Sequence, residues 1–151
     1  MNNQEAADGA EKEFSLGKAA LEREDTLVAL THLERALRQQ NTPGWYSYLG
    51  YCIAKERGQF RKGVEFCQRS LTEEPDHPGH YYNLGRVHLA SGDKVEALRV
   101  LREGMAKGGS PEIGRLLEGL GQRSPLLFPS LSRTHPLNRY LGLLLKRLGL
   151  R

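Results

Sequence analysis

Residues 79–107 read GHYYNLGRVHLASGDKVEALRVLREGMAK and contain two helical patterns separated by Gly92-Asp93. In the first pattern, one face collects apolar, aromatic and small residues at helical spacing: Tyr81, Leu84, Gly85 and His88. The second pattern does the same with Ala97, Leu98, Leu101 and Met105. Asp93 precedes the second helix and is suited to cap its N-terminus. One hairpin of this size cannot bury such faces alone, so the stretch predicts that further hairpins stack against it.

Three kinds of marker recur along the chain at intervals of 33 to 35 residues. Leu-Gly pairs stand at positions 16–17, 49–50 and 84–85, and turn residues stand at positions 24–25, 58–59 and 92–93. Prolines that can open the next hairpin are Pro43, Pro78 and Pro111. Thr42 and Ser110 precede two of these prolines and are predicted N-caps. The second unit has one extra residue before position 58, which predicts a bulged first helix or a longer turn.

This pattern resembles the tetratricopeptide repeat, a helix-turn-helix unit of about 34 residues. The Leu-Gly pair of that family is matched in all three units, and its first aromatic residue is matched by Tyr46 and Tyr81. Glu13 replaces the aromatic residue in the first unit. The small residue early in the second helix is matched by Ala29, Gly63 and Ala97. The resemblance implies an all-α protein, an α-solenoid of stacked hairpins.

The domain organisation follows from this period. We predict a flexible N-terminus at residues 1–9, three hairpins at residues 10–43, 44–77 and 78–111, and a capping helix that ends by residue 122. Residues 123–151 form a basic C-terminal extension, in which residues 136–150 have the leucine spacing of an amphipathic helix. The net charge is +4, yet no acidic residue follows Glu118.

The resemblance also implies a binding surface, because the first helices of such hairpins line a concave groove that holds a peptide. The matching positions are Phe14, Lys18, Leu21, Ser47, Tyr48, Tyr51, Lys55, Tyr82, Asn83, Arg86 and Leu89. This set is rich in tyrosine and mildly basic, which favours a peptide with aromatic or aliphatic anchors and some acidic character. Lys18 and Tyr48 stand where the chaperone-tail-binding subclass has asparagines, so that ligand is not supported.

The sequence indicates no chemistry of its own. It contains none of the phosphate-binding, dinucleotide-binding, zinc-protease or nucleophile-elbow motifs, so we expect no enzyme and no cofactor. Cys52 and Cys67 are expected to be reduced, buried core residues. Asp76, His77 and His80 could seat a metal on a turn, but without a thiolate they are interpreted as turn residues, and no metal site is predicted. No basic stripe dense enough to indicate nucleic-acid binding lies outside the C-terminal extension.

Two functional readings therefore remain open. In the first, the chain is a non-catalytic scaffold that binds a peptide or partner protein in its groove. In the second, residues 123–151 act through their basic amphipathic helix, either by self-association or by docking to an anionic membrane surface. The chain has no apolar run long enough to span a membrane and no signal-peptide pattern, so the expected location is cytoplasmic.

Overall fold

The computed structural model describes residues 3–121 and positions 143 and 147. Within these residues all regular secondary structure is helical, as predicted. The helices are α1 (Asn3–Glu22), α2 (Thr26–Gln39), α3 (Tyr46–Arg57), α4 (Phe60–Glu73), α5 (Pro78–Ala90), α6 (Lys94–Ala106) and α7 (Pro111–Gly121), with a short 3₁₀ helix at Pro43–Trp45. The chain divides into two units, Met1–Leu117 and Glu118–Arg151. The predicted amphipathic helix at 136–150 lies outside the described residues except for positions 143 and 147, which are helical.

The helices of the first unit pair into three hairpins that stack in chain order. Helix α1 packs against α2, α3 against α4, and α5 against α6, while α3 also contacts α2 and α5. Each hairpin buries the apolar face of its helices against the next one, as the sequence pattern requires. The predicted α-solenoid of helix-turn-helix hairpins is therefore confirmed.

The three turns that join the two helices of each hairpin lie at the predicted positions. Residues Glu24, Gly58 and Gly92 have positive φ angles of 59°, 64° and 84°. Two of the following helices are capped by aspartate, because Val28 N donates to Asp25 Oδ1 at 3.2 Å and Glu96 N donates to Asp93 Oδ1 at 3.0 Å. Glu24 is the non-glycine residue in this series, and a left-handed backbone is unfavourable for a residue with a Cβ atom.

The extra residue of the second hairpin neither bulges its first helix nor lengthens its turn. Helix α3 continues without a break to Arg57, and only Gly58 and Gln59 separate it from α4. The turns of the other two hairpins contain three residues each. The additional residue is absorbed in the last part of α3, which ends seven residues after Gly50, whereas α5 ends five residues after Gly85. Gly58 ends α3 by donating its N–H to the Ala54 and Ile53 carbonyls.

The repeated glycines stand where the two helices of a hairpin approach most closely. A Cβ atom on Gly50 would lie 2.6 Å from the carbonyl oxygen of Gly63, and one on Gly63 would lie 2.7 Å from the carbonyl oxygen of Gly50. In the third hairpin, a Cβ atom on Gly85 would lie 2.6 Å from the Leu101 side chain. The Leu-Gly marker therefore reflects close helix packing, since only glycine fits these contacts.

Two local expectations concern helix ends, and the predicted N-cap at Thr42 was wrong. Residues 3–9, which were expected to form a flexible N-terminus, lie in α1, which begins at Asn3. This stretch is rich in Gln, Glu and Ala, which are good helix formers, and Ala10 is fully buried against Ala36 and Trp45. Thr42 makes no side-chain cap hydrogen bond, whereas Ser110 does cap α7 by accepting from Ile113 N at 3.3 Å.

None of the helices among the described residues is long and apolar enough to cross a membrane.

Candidate functional site

The first unit contains a groove of about 550 Å³. Its walls come from α1, α3 and α5, as expected for the first helices of the hairpins, and from the start of α7. The lining residues are Lys18, Leu21, Glu22, Glu24, Tyr48, His77, Pro78, Gly79, Tyr82, Asn83, Arg86, Ser110, Glu112 and Arg115. Six of the predicted groove residues are among them, namely Lys18, Leu21, Tyr48, Tyr82, Asn83 and Arg86.

The other predicted groove residues do not line this groove. Ser47 is fully buried and lies beneath the surface. Phe14 stacks on Trp45 with ring centroids 4.6 Å apart and meets Tyr48 edge-on at 5.3 Å. Tyr51 is occupied by a contact with the guanidinium of Arg86. Lys55 is exposed and Leu89 is partly buried, but both lie outside the lining.

Arg86 is the most constrained side chain of the groove. Its guanidinium carbon lies 3.6 Å from the ring centroid of Tyr51 and 4.3 Å from that of Tyr82. The Nη2 atom donates to Asn83 Oδ1 at 2.7 Å, and the buried Nε atom has no hydrogen-bond partner. No described carboxylate forms an ion pair with Arg86. A cation held between two rings and left without an anion favours an acceptor oxygen from outside the described chain.

Tyrosine and lysine extend this surface toward α1. The Nζ atom of Lys18 lies 5.8 Å from the ring centroids of both Phe14 and Tyr48. Burial raises the pKa of Tyr48, with Glu74 raising it further and Arg86 lowering it. The phenol therefore stays protonated at neutral pH and can donate or accept a hydrogen bond.

The charge of the groove differs from the mildly basic surface that was expected. Three carboxylates, from Glu22, Glu24 and Glu112, balance the cations of Lys18, Arg86 and Arg115. Arg115 pairs with Glu112 at 3.7 Å. Glu22 is the last residue of α1, whereas Glu24 lies in the first turn and Glu112 in α7, outside the first helices to which the groove had been assigned.

A network of buried polar side chains lies beneath the groove, between the second and third hairpins. His80 is 1% exposed, and both of its ring nitrogens are engaged, Nε2 with Glu74 Oε2 at 2.6 Å and Nδ1 with Ser47 Oγ at 2.8 Å. Asn83 Nδ2 donates to the same Ser47 oxygen at 3.0 Å. Ser47 is fixed by Ser70, whose Oγ accepts from the Ser47 N–H at 2.9 Å.

Serine, histidine and glutamate are also the residue types of a hydrolase triad, but this network lacks the means of catalysis. Ser47 has no exposed surface, so a substrate cannot reach its oxygen. Its Oγ atom also accepts from Asn83, whereas a nucleophile needs a free approach. The arrangement can position side chains and cannot perform acyl transfer.

Of the remaining candidate reactive groups, the two cysteines lie in the interior. Cys52 and Cys67 are free and buried, as predicted. Burial raises the pKa of the Cys52 thiol to about 12 and raises that of Cys67 as well, so neither is a reactive thiolate. In the turn before α5, His77 Nδ1 accepts from Gly79 N at 3.1 Å, which makes His77 the N-cap of α5. The interpretation of His80 as a turn residue was wrong, because it lies within α5 and both of its ring nitrogens are engaged in the buried network.

Comparison with known proteins agrees with this architecture. The profile of a family described as tetratricopeptide repeat matches residues 54–120, which include the second helix of hairpin two and all of hairpin three. Residues 54–120 belong to the tetratricopeptide repeat family. The first hairpin lies outside that match, but it repeats the same turn and the same close glycine contact.

Solved structures of tetratricopeptide repeat domains share the fold. The chain is similar to the Sgt2 domain of Aspergillus fumigatus, with 21% identity, a TM-score of 0.57, and coverage of 86% of this chain and 93% of that one. The Arabidopsis OM64 domain has 13% identity, a TM-score of 0.59, and coverage of 79% and 99%. The TPR2B domain of yeast Sti1, solved as a complex with pHsp70, has 20% identity, a TM-score of 0.58, and coverage of 77% and 98%.

Family and fold together assign the class of function. Tetratricopeptide repeats are non-catalytic scaffolds for protein interaction, and this protein belongs with them rather than with enzymes. The prediction of a non-catalytic scaffold is confirmed at that level.

Proposed function

We propose that the groove of the first unit binds a peptide segment of a partner protein, with Arg86 as its principal anchor. The observation that carries this proposal is the state of Arg86, which lies between two tyrosine rings and has no anionic partner among the described residues. A guanidinium in this state offers fixed donors to a carboxylate or carbonyl oxygen at little cost in side-chain entropy. Without such a ligand, the Arg86 guanidinium would have a donor group, its Nε–H, with no acceptor among the described residues.

The surroundings of Arg86 specify the chemistry of the segment. Tyr48 and Tyr82 offer partly buried rings to an aromatic or aliphatic side chain next to the acidic group. Glu22 and Glu24, which have no ion pair in the described chain, add a negative end to the groove. We therefore expect a segment with an acidic group at Arg86, an apolar anchor beside it, and a basic group toward Glu24. The peptide complex of yeast Sti1 TPR2B supports a peptide as the class of ligand.

Peptide selection from a random dodecapeptide phage library on the full chain tests this proposal. The selected peptide should contain an acidic residue next to an apolar one, and Arg86→Ala should weaken its binding at least about tenfold, the loss expected for a hydrogen-bonded charge pair. Arg102→Ala is the matched control, because Arg102 is an exposed arginine on α6 outside the groove. Equal binding by the wild type and the Arg86→Ala variant would contradict the proposal.

A second candidate function involves the C-terminal extension. Its six cations, with no acidic residue, favour contact with an anionic surface: Arg123, Arg133, Arg139, Lys146, Arg147 and Arg151. Sedimentation with phosphatidylserine vesicles, for the full chain and for a chain ending at Gln122, tests membrane docking. Light scattering on the same two proteins tests self-association. Binding or dimer formation that survives the truncation would assign neither role to the extension. The cytoplasmic location stays a prediction.

A further inference from the structure

The buried network forms one continuous chain of hydrogen bonds from a surface carboxylate to the groove. It begins at Glu74, whose side chain is 50% exposed, and passes through His80, Ser47 and Asn83 to Arg86. Glu74 does not line the groove. This series of hydrogen bonds therefore connects the end of α4 with the Arg86 guanidinium, which is the anchor in the proposed function.

The two ends of this chain determine the direction of every bond in it. The Glu74 carboxylate only accepts, so His80 donates from Nε2. A neutral ring then accepts at Nδ1, which makes the Ser47 hydroxyl a donor. Ser47 Oγ in turn accepts from the amide nitrogen of Asn83.

The last link depends on the orientation of the Asn83 amide. Its oxygen accepts from Arg86 Nη2, and its nitrogen donates to Ser47. Reversing the amide would bring an NH₂ group against the guanidinium and a carbonyl oxygen against Ser47. Ser47, by contrast, cannot move to adapt, because its backbone N–H is bound by Ser70 and its side chain is fully buried. This arrangement gives each of the four hydrogen bonds in the series one donor and one acceptor.

We propose that Glu74, His80 and Ser47 are positioning residues of the groove, which hold Asn83 and, through it, the Arg86 guanidinium in the orientation that receives the partner's acceptor oxygen. This inference rests on the proposed function of the groove. A side chain as long as arginine loses considerable rotamer freedom when it is fixed, and the buried chain fixes it before the partner arrives. The two tyrosines restrain the faces of the guanidinium, and Asn83 restrains its rotation within that plane.

Nitrogen-15 NMR of the full, ligand-free chain tests the positioning directly. The Nε–H signal of Arg86, assigned by its loss in Arg86→Lys, should exchange slowly with water. Glu74→Ala and Ser47→Ala should each accelerate this exchange about tenfold, the effect of losing one hydrogen bond that orders a charged group. Glu74→Gln keeps an acceptor for His80 and should restore the wild-type rate. Glu73→Ala is the matched control, because Glu73 is the exposed neighbouring glutamate at the end of α4.

Glu74→Ala is sufficient for the test if Ser47→Ala does not fold, because Glu74 is half exposed and its loss should leave the fold intact. An Arg86 Nε–H exchange rate that is the same in wild type, Glu74→Ala and Glu73→Ala would overturn the inference.

Binding of the selected peptide gives an independent readout. Glu74→Ala should weaken binding about tenfold in the wild-type background and have no effect in the Arg86→Ala background. A merely structural role of Glu74 would weaken binding equally in both. If Arg86→Ala leaves peptide binding unchanged, the proposed function fails, and the exchange rates still decide the positioning. If Arg86→Ala weakens binding but Glu74→Ala changes neither readout, the groove function stands and the positioning inference is overturned.

Discussion

The two interfaces between consecutive hairpins use the same pair of repeat positions with opposite chemistry. Two residues before the Leu-Gly pair stand Phe14 in the first hairpin and Ser47 in the second. Four residues before that pair stand Trp45 in the second hairpin and His80 in the third. Across the first interface the two positions meet as stacked rings, Phe14 on Trp45 at 4.6 Å. Across the second they meet as a hydrogen bond, Ser47 to His80 at 2.8 Å.

This difference separates stability from recognition within one fold. The stacked pair packs in an apolar cluster with Ala10 and Ala36. The hydrogen-bonded pair is almost fully buried and belongs to the series of hydrogen bonds that ends at Arg86. A buried polar network lowers stability unless its polar groups are hydrogen-bonded. A network beside the groove can offset that loss of stability by supporting binding. Equivalent repeat positions can thus carry different roles.

The largest expected effect comes from breaking the apolar interface. Trp45→Ala should lower the free energy of unfolding by about 3–5 kcal/mol, because the ring is 6% exposed and its removal leaves a cavity beside Phe14. Urea unfolding followed by circular dichroism measures this loss. Trp45→Phe keeps an aromatic partner for Phe14 and should recover more than half of it. A loss below about 1 kcal/mol for Trp45→Ala would mean that the first interface does not depend on this stack.

The polar interface should respond to pH, and the apolar one should not. Removing the imidazole by His80→Gln should cost about 1–3 kcal/mol near pH 7.5, because Ser47 and Glu74 lose a partner. Burial lowers the pKa of His80 from its usual 6.5, although the hydrogen bond to Glu74 raises it in part. Below pH 6.5 the unfolded chain therefore binds a proton that the folded chain excludes, and the wild type loses stability as the pH falls toward the folded pKa.

Urea unfolding of the wild type and His80→Gln at several pH values between about 7.5 and 5 measures this slope. The difference between the two proteins cancels the titration of the other histidines, and the advantage of the wild type should shrink as the pH decreases. An advantage that stays constant or grows on acidification would contradict the neutral His80 that the hydrogen-bond chain requires.

The smallest expected effect concerns the first turn, where Glu24 adopts the positive φ angle that glycine adopts in the turns of the other two hairpins. Glu24→Gly should raise the free energy of unfolding by about 0.5–1 kcal/mol, because glycine adopts the positive φ angle of 59° without steric cost. Thermal unfolding checks the gain. The control is Glu22→Gly, which places glycine in the regular last turn of α1 and should destabilise instead. Destabilisation by Glu24→Gly would show that the carboxylate matters more to the turn than the strain does.

Much of the fold could be predicted because it depends on residues that recur. The turn positions 24, 58 and 92, the aspartate cap at position 93 and the prolines that open α5 and α7 each follow from local backbone chemistry. The Leu-Gly pairs could be placed because the close approach of two helices admits only glycine. Features of this kind are visible in a single sequence because each unit repeats the same local requirement.

The candidate site was predicted less completely because it depends on differences between repeats. Ser47 was assigned to the groove from its repeat position, whereas its small polar side chain lies beneath Asn83 and bonds with His80. The sequence does show that Ser47 and His80 occupy the repeat positions of Phe14 and Trp45. This difference indicates a polar interface, but it is recognised only when the equivalent positions of the two interfaces are aligned. The contributions of Glu24 and Glu112 depend on how α7 and the first turn approach the groove, and hairpin periodicity contains no information on that approach.

A map of amide chemical shifts in the full chain, recorded as the selected peptide is added, tests the groove most directly. We expect the largest changes at Tyr48, Tyr82, Asn83 and Arg86, which line the groove. The outer face of α4, where Lys62 lies 5.6 Å from the ring of Phe66, should remain unchanged. Changes confined to that outer face, or to residues 123–151, would place the binding surface elsewhere and contradict the assignment of the groove.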